Sequence, residues 1–187
     1  MPTSHRSVLQ ALEEYFARAL TPEALSAGPL LRVQPDPGRP SPCDLRDVDE
    51  YGMVGWRPVL RLPPGDFSSV EEVAGVPLHP DARDFLGGFW ARSFEVTYER
   101  ESGLHFIPAF SADEQQWTRR LAGQRSHIAA TRAEARPVTV FIGNSADDRY
   151  FSVENATGEV LLEDFGRPPR VLAPSLVEFL SSLDTPF

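Results

Sequence analysis

Between residues 137 and 164, three strand-like segments follow one another with only short polar connections between them. Their sequences are PVTVFIG, RYFSVE and GEVLLED, and the connections run from Gly143 to Asp148 and from Asn155 to Gly158. Branched and aromatic residues favour β-strands, and short polar turns join neighbouring strands as hairpins. The stretch therefore predicts three consecutive antiparallel strands, which any fold for this chain must contain.

Other segments extend the predicted sheet. In RSFEVTYE, residues 92 to 99, apolar and polar side chains alternate, as in a strand with one buried face. The following LHFIPAF is predicted to return as its partner. Residues 53 to 62 are interrupted by Gly55 and Pro58 and predict an irregular edge strand. Residues 29 to 42 contain five prolines and predict a connector without regular structure.

Helices are predicted at both ends of the chain from capping patterns. Ser7 and Gln10 suit a capping box that opens the first helix, which is predicted to end at Thr21-Pro22. Ser175 and Glu178 suit a second capping box, which opens the last helix. The apolar faces of these two helices are predicted to be Val8, Leu12, Tyr15 and Ala19, and Leu176, Phe179, Leu180 and Leu183.

Two more helices are predicted in the middle of the chain. One begins at Pro80-Asp81 with Asp81 as its N-cap, and one begins at Ser111 with Glu114 as the partner in a capping box. Their apolar faces are predicted to be Phe85, Leu86, Phe89 and Trp90, and Trp117, Leu121 and Ile128. Together these elements predict one α+β domain over residues 1–187, in which helices flank a largely antiparallel sheet.

The charge of the chain restricts its partners. There are 27 acidic residues against 18 basic ones, a net charge of -9, and every basic residue is arginine. Such a surface repels nucleic acid and anionic lipid headgroups but attracts a positively charged protein. The sequence has no apolar run long enough to cross a bilayer and no signal-peptide pattern, so we expect a cytoplasmic protein.

No motif in the sequence indicates catalysis, a metal site or a cofactor. The four histidines lack the short spacings that place two ligands on one face. Cys43 is predicted to be a small buried hydrophobic residue. Adjacent acidic pairs, such as Glu163-Asp164, are interpreted as solvated turn residues, because adjacency does not place two carboxylates across a cleft. We therefore predict a protein that is not an enzyme.

Several segments together resemble a known family. TVFIG, YFSVENATGEVLLEDFGRPPR and LAPSLVEFLSSL, preceded by SPC, GWRPV and HPDARDFLGGFWARSFEVTYE, resemble the Syd family of SecY-interacting proteins within the SUKH (Smi1/Knr4-like) superfamily. The resemblance covers nearly the whole chain and is most specific in the C-terminal hairpin and helix. It implies that this hairpin and helix are scaffold, and that function lies in the surface that the sheet displays.

The resemblance also implies binding rather than turnover. Syd-like proteins are described as cytoplasmic proteins that attach to the inner membrane by contacting SecY, the channel subunit of the protein translocase. Cytoplasmic loops of membrane proteins are rich in lysine and arginine, so an acidic concave surface would be attracted to them while anionic lipid repels it. We expect a peripheral protein on the cytoplasmic side of the inner membrane, without lipid insertion or nucleic-acid binding.

The predicted partner-binding residues are acidic groups after SPC, acidic groups on the wet face of one strand, and two aromatic anchors. They are Asp44, Asp47, Asp49, Glu50, Glu95, Glu99, Trp56 and Trp90. For these residues the competing interpretation is that the acids are simply solvated and that both tryptophans lie in the core. Two alternatives stay open at this point. SUKH domains also act as immunity proteins that neutralise bacterial toxins, often basic nucleases, and an acidic surface suits that task equally. A small enzyme would instead need a deep pocket with two close carboxylates.

Overall fold

The computed structural model describes residues 7–19, 32–35, 37–38, 41–92, 94–98, 101–106, 114–145, 147, 149–164 and 166–184. In chain order its elements are α1 (Val8–Ala19), β1 (Arg32–Val33), β2 (Asp44–Val48), β3 (Val54–Trp56), β4 (Val59–Leu60), α2 (Ser68–Ala74), α3 (Pro80–Gly87), β5 (Phe89–Trp90), β6 (Phe94–Tyr98), β7 (Glu101–Phe106), α4 (Glu114–Ala133), β8 (Thr139–Ser145), β9 (Tyr150–Glu154), β10 (Val160–Glu163), β11 (Arg170–Ala173) and α5 (Leu176–Ser182). The predicted α+β class is confirmed.

Within the described residues, the main sheet has six antiparallel strands in the spatial order β11-β10-β9-β8-β7-β6. Strands that are neighbours in space are also neighbours in sequence, so the sheet is a meander. Val153 of β9 pairs with Val140 of β8 on one side and with Val160 of β10 on the other. The predicted run of three consecutive strands is confirmed, as is the pairing of β6 with β7.

The β9–β10 hairpin is closed by a turn that requires glycine. Gly158 has a φ of +80°, and a Cβ atom there would lie 2.7 Å from Nε2 of His79. Asn155, in the same turn, accepts a hydrogen bond from the His79 backbone N–H at 2.8 Å and donates one to the Pro77 carbonyl at 2.9 Å. The hairpin is thereby attached to the segment that leads into α3.

Different helices cover the two faces of the main sheet. On one face, Phe179 of α5 packs with its ring centroid 6.2 Å from that of Phe151 and 4.9 Å from that of Tyr98. On the other face, Gln124 of α4 binds the backbone of β8. Its Oε1 accepts from the Phe141 N–H at 3.1 Å, and its Nε2 donates to the Phe141 carbonyl. The sheet is therefore enclosed by helices, as the sequence predicts.

A smaller sheet, in the order β1-β3-β2, lies beside the core at the β6 end of the main sheet. Trp56 at the end of β3 is 2% exposed. Its ring centroid lies 6.5 Å from that of Phe16 in α1 and 6.4 Å from that of Phe94 in β6. This aromatic cluster joins the small sheet to the rest of the hydrophobic core.

Predictions for the N-terminal half need two corrections. The proline-rich connector contains β1, because the strand occupies the proline-free dipeptide Arg32–Val33 and pairs with Gly55 and Val54. The segment from 53 to 62 is not one edge strand. β3 is the central strand of the small sheet, whereas β4 pairs with β5 in a separate two-stranded ribbon. Pro58 lies between β3 and β4.

The helix predictions are confirmed in part. The first capping box forms in both directions: the Ser7 N–H donates to Gln10 Oε1 at 2.9 Å, and the Gln10 N–H donates to Ser7 Oγ at 3.2 Å. At α5 only half of the predicted box forms: the Glu178 N–H donates to Ser175 Oγ at 3.2 Å, which makes Ser175 the N-cap. The N-cap of α3 is His79 rather than Asp81, because proline occupies the first helical position. The predicted signals at Thr21-Pro22 and Ser111 lie outside the described residues.

Three elements differ from the sequence interpretation. Phe89 and Trp90 lie in β5 rather than on the helix before them, since α3 ends at Gly87. The helix α2 and the edge strand β11 were not predicted. Both are short, and their apolar residues are too few to establish a period.

Candidate partner-binding surface

The acidic segment predicted to meet a partner is β2 together with the turn that leads to β3. Asp44 at the start of β2 is held by Arg92, which follows β5. Nε of Arg92 donates to Asp44 Oδ1 at 2.8 Å, and its Nη2 donates to Oδ2. This two-point pairing neutralises the carboxylate and fixes the start of β2 to the core. Asp44 is therefore committed to an internal contact.

Asp49 builds the turn after β2. Its Oδ1 accepts the backbone N–H groups of Tyr51 and Met53, both at 2.9 Å. Its Oδ2 lies 3.1 Å from Nη1 of Arg32 in β1. Gly52 has a φ of +75°, and its N–H donates to the Asp49 carbonyl at 3.0 Å. The carboxylate of Asp49 thus holds the turn in one conformation, a structural role that the sequence prediction did not assign.

The remaining two acids of this segment face solvent. Asp47 and Glu50 are exposed, and neither forms an ion pair within the described part of the chain. Leu45, Val48 and Tyr51, which are interspersed with them in the sequence, are exposed as well. We call the five residues Leu45, Asp47, Val48, Glu50 and Tyr51 the 45–51 surface. The four acids predicted here therefore divide into two that are held by arginine and two that are available to a partner.

The other predicted contact residues have different surroundings. Trp56 lies in the core, so its ring offers no surface to a partner. Trp90 is half-buried, and the guanidinium of Arg61 lies 4.3 Å from its ring centroid and 4.1 Å from that of Trp117. Burial lowers the pKa of Arg61. The guanidinium of Arg61 therefore links Trp90 of β5 to Trp117 of α4. It covers a face of the Trp90 ring that would otherwise be available to a partner.

The two acids predicted on the wet face of β6 have no described side-chain environment. Glu95 lies within β6, opposite His105 of β7, and only its backbone position is described. Glu99 lies outside the described residues. Both stay predictions.

A buried polar network at the opposite end of the main sheet was missed by the sequence analysis. Glu163 is 4% exposed rather than solvated. Its Oε2 accepts from both terminal nitrogens of Arg136 at 3.0 Å, its Oε1 accepts from the Ser152 hydroxyl, and Nε2 of His127 lies 3.7 Å away. Burial lowers the pKa of His127, against the opposing effect of Glu163. Alternation along β10 could have indicated the burial of Glu163, because its side chain lies on the same side of the strand as that of Leu161.

This network opens into a cleft of about 300 Å³, whose lining includes His127, Arg136, Tyr150 and Glu163. Because both oxygens of Glu163 are occupied, the carboxylate links β9 and β10 to Arg136 in the segment after α4 and is not free to act as a base. Among the described residues, no group of three or more His, Cys, Asp and Glu side chains is placed to hold a metal ion. Cys43 is buried as predicted, and burial raises the pKa of its thiol.

Comparison with known proteins agrees with the resemblance seen in the sequence. The model of the family described as Syd protein (SUKH-2) matches residues 8–185. A Protein Syd from Aeromonas hydrophila subsp. hydrophila is 35% identical over 182 residues, which cover 95% of this chain and 96% of the relative. One from Pseudoalteromonas atlantica is 32% identical over 185 residues, with the same coverage of 95% and 96%. One from Hahella chejuensis is 33% identical over 146 residues, which cover 77% of this chain and 74% of the relative.

Neither the family description nor the names of these relatives denotes an enzymatic activity. Within the described part of the chain, no helix is both long enough and apolar enough to cross a membrane.

Proposed function

Because the chain belongs to the Syd family, we propose that it is a non-enzymatic binding protein that contacts basic cytoplasmic loops of SecY. In this proposal it acts as a peripheral protein on the cytoplasmic side of the inner membrane, where it monitors or regulates the translocase. The observation that carries the proposal is the pair of exposed carboxylates of Asp47, within β2, and Glu50, in the turn that follows it.

The electrostatics of the chain support this partner. A net charge of -9 attracts loops that are rich in lysine and arginine, and it repels an anionic lipid surface. Recruitment to the membrane would then depend on the protein in it rather than on the lipid. Asp44 and Asp49 are already paired with arginines. Among the four acids of this segment, Asp47 and Glu50 therefore contribute most of the attraction to a basic loop.

The proposal is tested by capture of SecY from detergent-solubilised inner membranes on the immobilised full-length chain. We expect SecY to be retained at about 0.05 M salt and largely lost at about 0.5 M, because the Debye length falls from roughly 14 Å to roughly 4 Å. Absence of SecY at low salt, or capture that does not respond to salt, contradicts the proposal.

A pair of double variants locates the contact. Asp47→Arg with Glu50→Arg is expected to weaken capture about tenfold or more without unfolding the chain. The matched control is Glu13→Arg with Glu72→Arg, which makes the same change in net charge at exposed positions on α1 and α2. If both double variants weaken capture equally, the overall charge of the chain rather than the end of β2 and its turn is responsible. Asp49 is unsuitable for this test because its loss also disrupts the turn.

A further inference from the structure

The 45–51 surface combines carboxylates with apolar side chains. Tyr51 is 74% exposed and Val48 is 56% exposed, and Leu45 is exposed as well. These three side chains alternate along seven residues with the exposed Asp47 and Glu50. Exposed apolar residues that lie close together along the chain and are interspersed with charge are typical of protein contact sites.

The turn that carries Tyr51 is held rigidly before any partner arrives. Asp49 accepts the N–H of Tyr51 itself, and its second oxygen is paired with Arg32 of the neighbouring strand. The backbone of the turn therefore has little conformational entropy left to lose on binding. An exposed aromatic ring on such a turn is suited to act as an anchor in a contact.

We propose that the 45–51 surface binds a segment in which cationic side chains alternate with apolar ones, with Tyr51 as the apolar anchor and with Asp47 and Glu50 pairing the cations. The inference rests on the proposed function, since it specifies the chemistry of the SecY segment that is bound. Charge complementarity selects this occupant: the carboxylates require cations, and a purely polar cationic segment would leave Leu45, Val48 and Tyr51 in water.

The test uses the full-length chain and two synthetic peptides of equal length and charge. One peptide alternates arginine with leucine, and the other alternates arginine with serine. At about 0.15 M salt we expect the arginine–leucine peptide to bind about tenfold more tightly, measured by calorimetry or fluorescence anisotropy. Tyr51→Ser is expected to remove this preference while leaving the affinity for the arginine–serine peptide unchanged.

Matched variants separate this surface from other exposed apolar side chains. Leu62 is 77% exposed and Val171 is 53% exposed, so Leu62→Ser is the control for Tyr51→Ser, and Val171→Ser is the control for Val48→Ser. Both controls are expected to keep the full preference. Equal binding of the two peptides, or a loss of preference in the controls as large as in Tyr51→Ser, overturns the inference.

The result can be distinguished from failure of the proposed function. If the full-length chain prefers the arginine–leucine peptide through Tyr51 but does not retain SecY, the surface chemistry stands and its assignment to SecY is wrong. If SecY is retained equally well by Tyr51→Ser, Val48→Ser and the unsubstituted chain, the proposed function stands and the apolar anchor is wrong.

Discussion

The contact between α4 and β8 allows a quantitative test of what holds the two layers together. Gln124 is 6% exposed and supplies both the acceptor for the Phe141 N–H and the donor for the Phe141 carbonyl. Gln124→Met keeps the length and approximate volume of the side chain but removes both hydrogen bonds. The substitution therefore isolates the polar contribution from the packing contribution.

The expected loss of stability follows from the two backbone groups left behind. Each buried polar group without a partner costs about 1–3 kcal/mol, so two of them give about 2–6 kcal/mol. A cavity of about 130 Å³ adjoins Gln124, but apolar side chains such as Phe67, Leu86 and Trp117 line it, so it offers a water molecule too few polar partners to replace the lost amide. We therefore expect Gln124→Met to lower the free energy of unfolding by about 2–6 kcal/mol.

Urea unfolding followed by fluorescence measures this loss. With an m value of about 2 kcal/mol/M, the midpoint should fall by about 1–3 M while m stays the same. Ser126→Met, at an exposed position on the same helix, is the control and should change stability by less than about 0.5 kcal/mol. A loss below about 0.5 kcal/mol in Gln124→Met would refute the reasoning, because the two hydrogen bonds would then contribute nothing to holding α4.

Three other perturbations test local features of the fold. Asp49→Ala should lower the free energy of unfolding by about 1–2 kcal/mol, because two turn N–H groups lose their acceptor. The control Asp47→Ala should change it by less than about 0.5 kcal/mol. Equal shifts of the thermal midpoint in the two variants would contradict this. Because burial lowers the pKa of His127, the unfolded chain binds a proton below about pH 6.5 that the folded chain resists. Urea stability should therefore decrease from pH 7.5 to 5.5, and less steeply in His127→Gln; parallel pH profiles would argue against it. Gly158→Ala should cost about 2–4 kcal/mol and Gly52→Ala about 1 kcal/mol, because both have positive φ but a Cβ atom meets a neighbour only at Gly158; similar urea midpoints would disprove the steric part.

Signals that act over a few residues predicted much of the fold correctly. Alternation in residues 94 to 98 predicts β6, and the spacing of serine and glutamate predicts the start of α5. These signals are reliable because hydrogen bonds within a helix turn and side-chain alternation along a strand depend only on the local chain. Short elements such as β1 and β11 were missed because two to four residues cannot establish a period.

The candidate site was predicted less completely than the fold. The sequence places four acids within seven residues, and by composition alone they are equivalent. Arg92 pairs with one of them and Arg32 with another, and these arginines are supplied by different strands or connections. The burial of Glu163 has the same origin, because Arg136 and Ser152 reach it from other parts of the chain.

The sequence by itself therefore determined the net charge, the three consecutive strands β8 to β10, the starts of α1 and α5, and the family resemblance. Only the tertiary structure decided which carboxylates are neutralised and which face a partner, and that Tyr51 stands exposed on a turn built by Asp49. The physical reason is that a charge interaction depends on the distance between two atoms and on the water between them. Both quantities are set only when residues that are distant in sequence are brought together by folding.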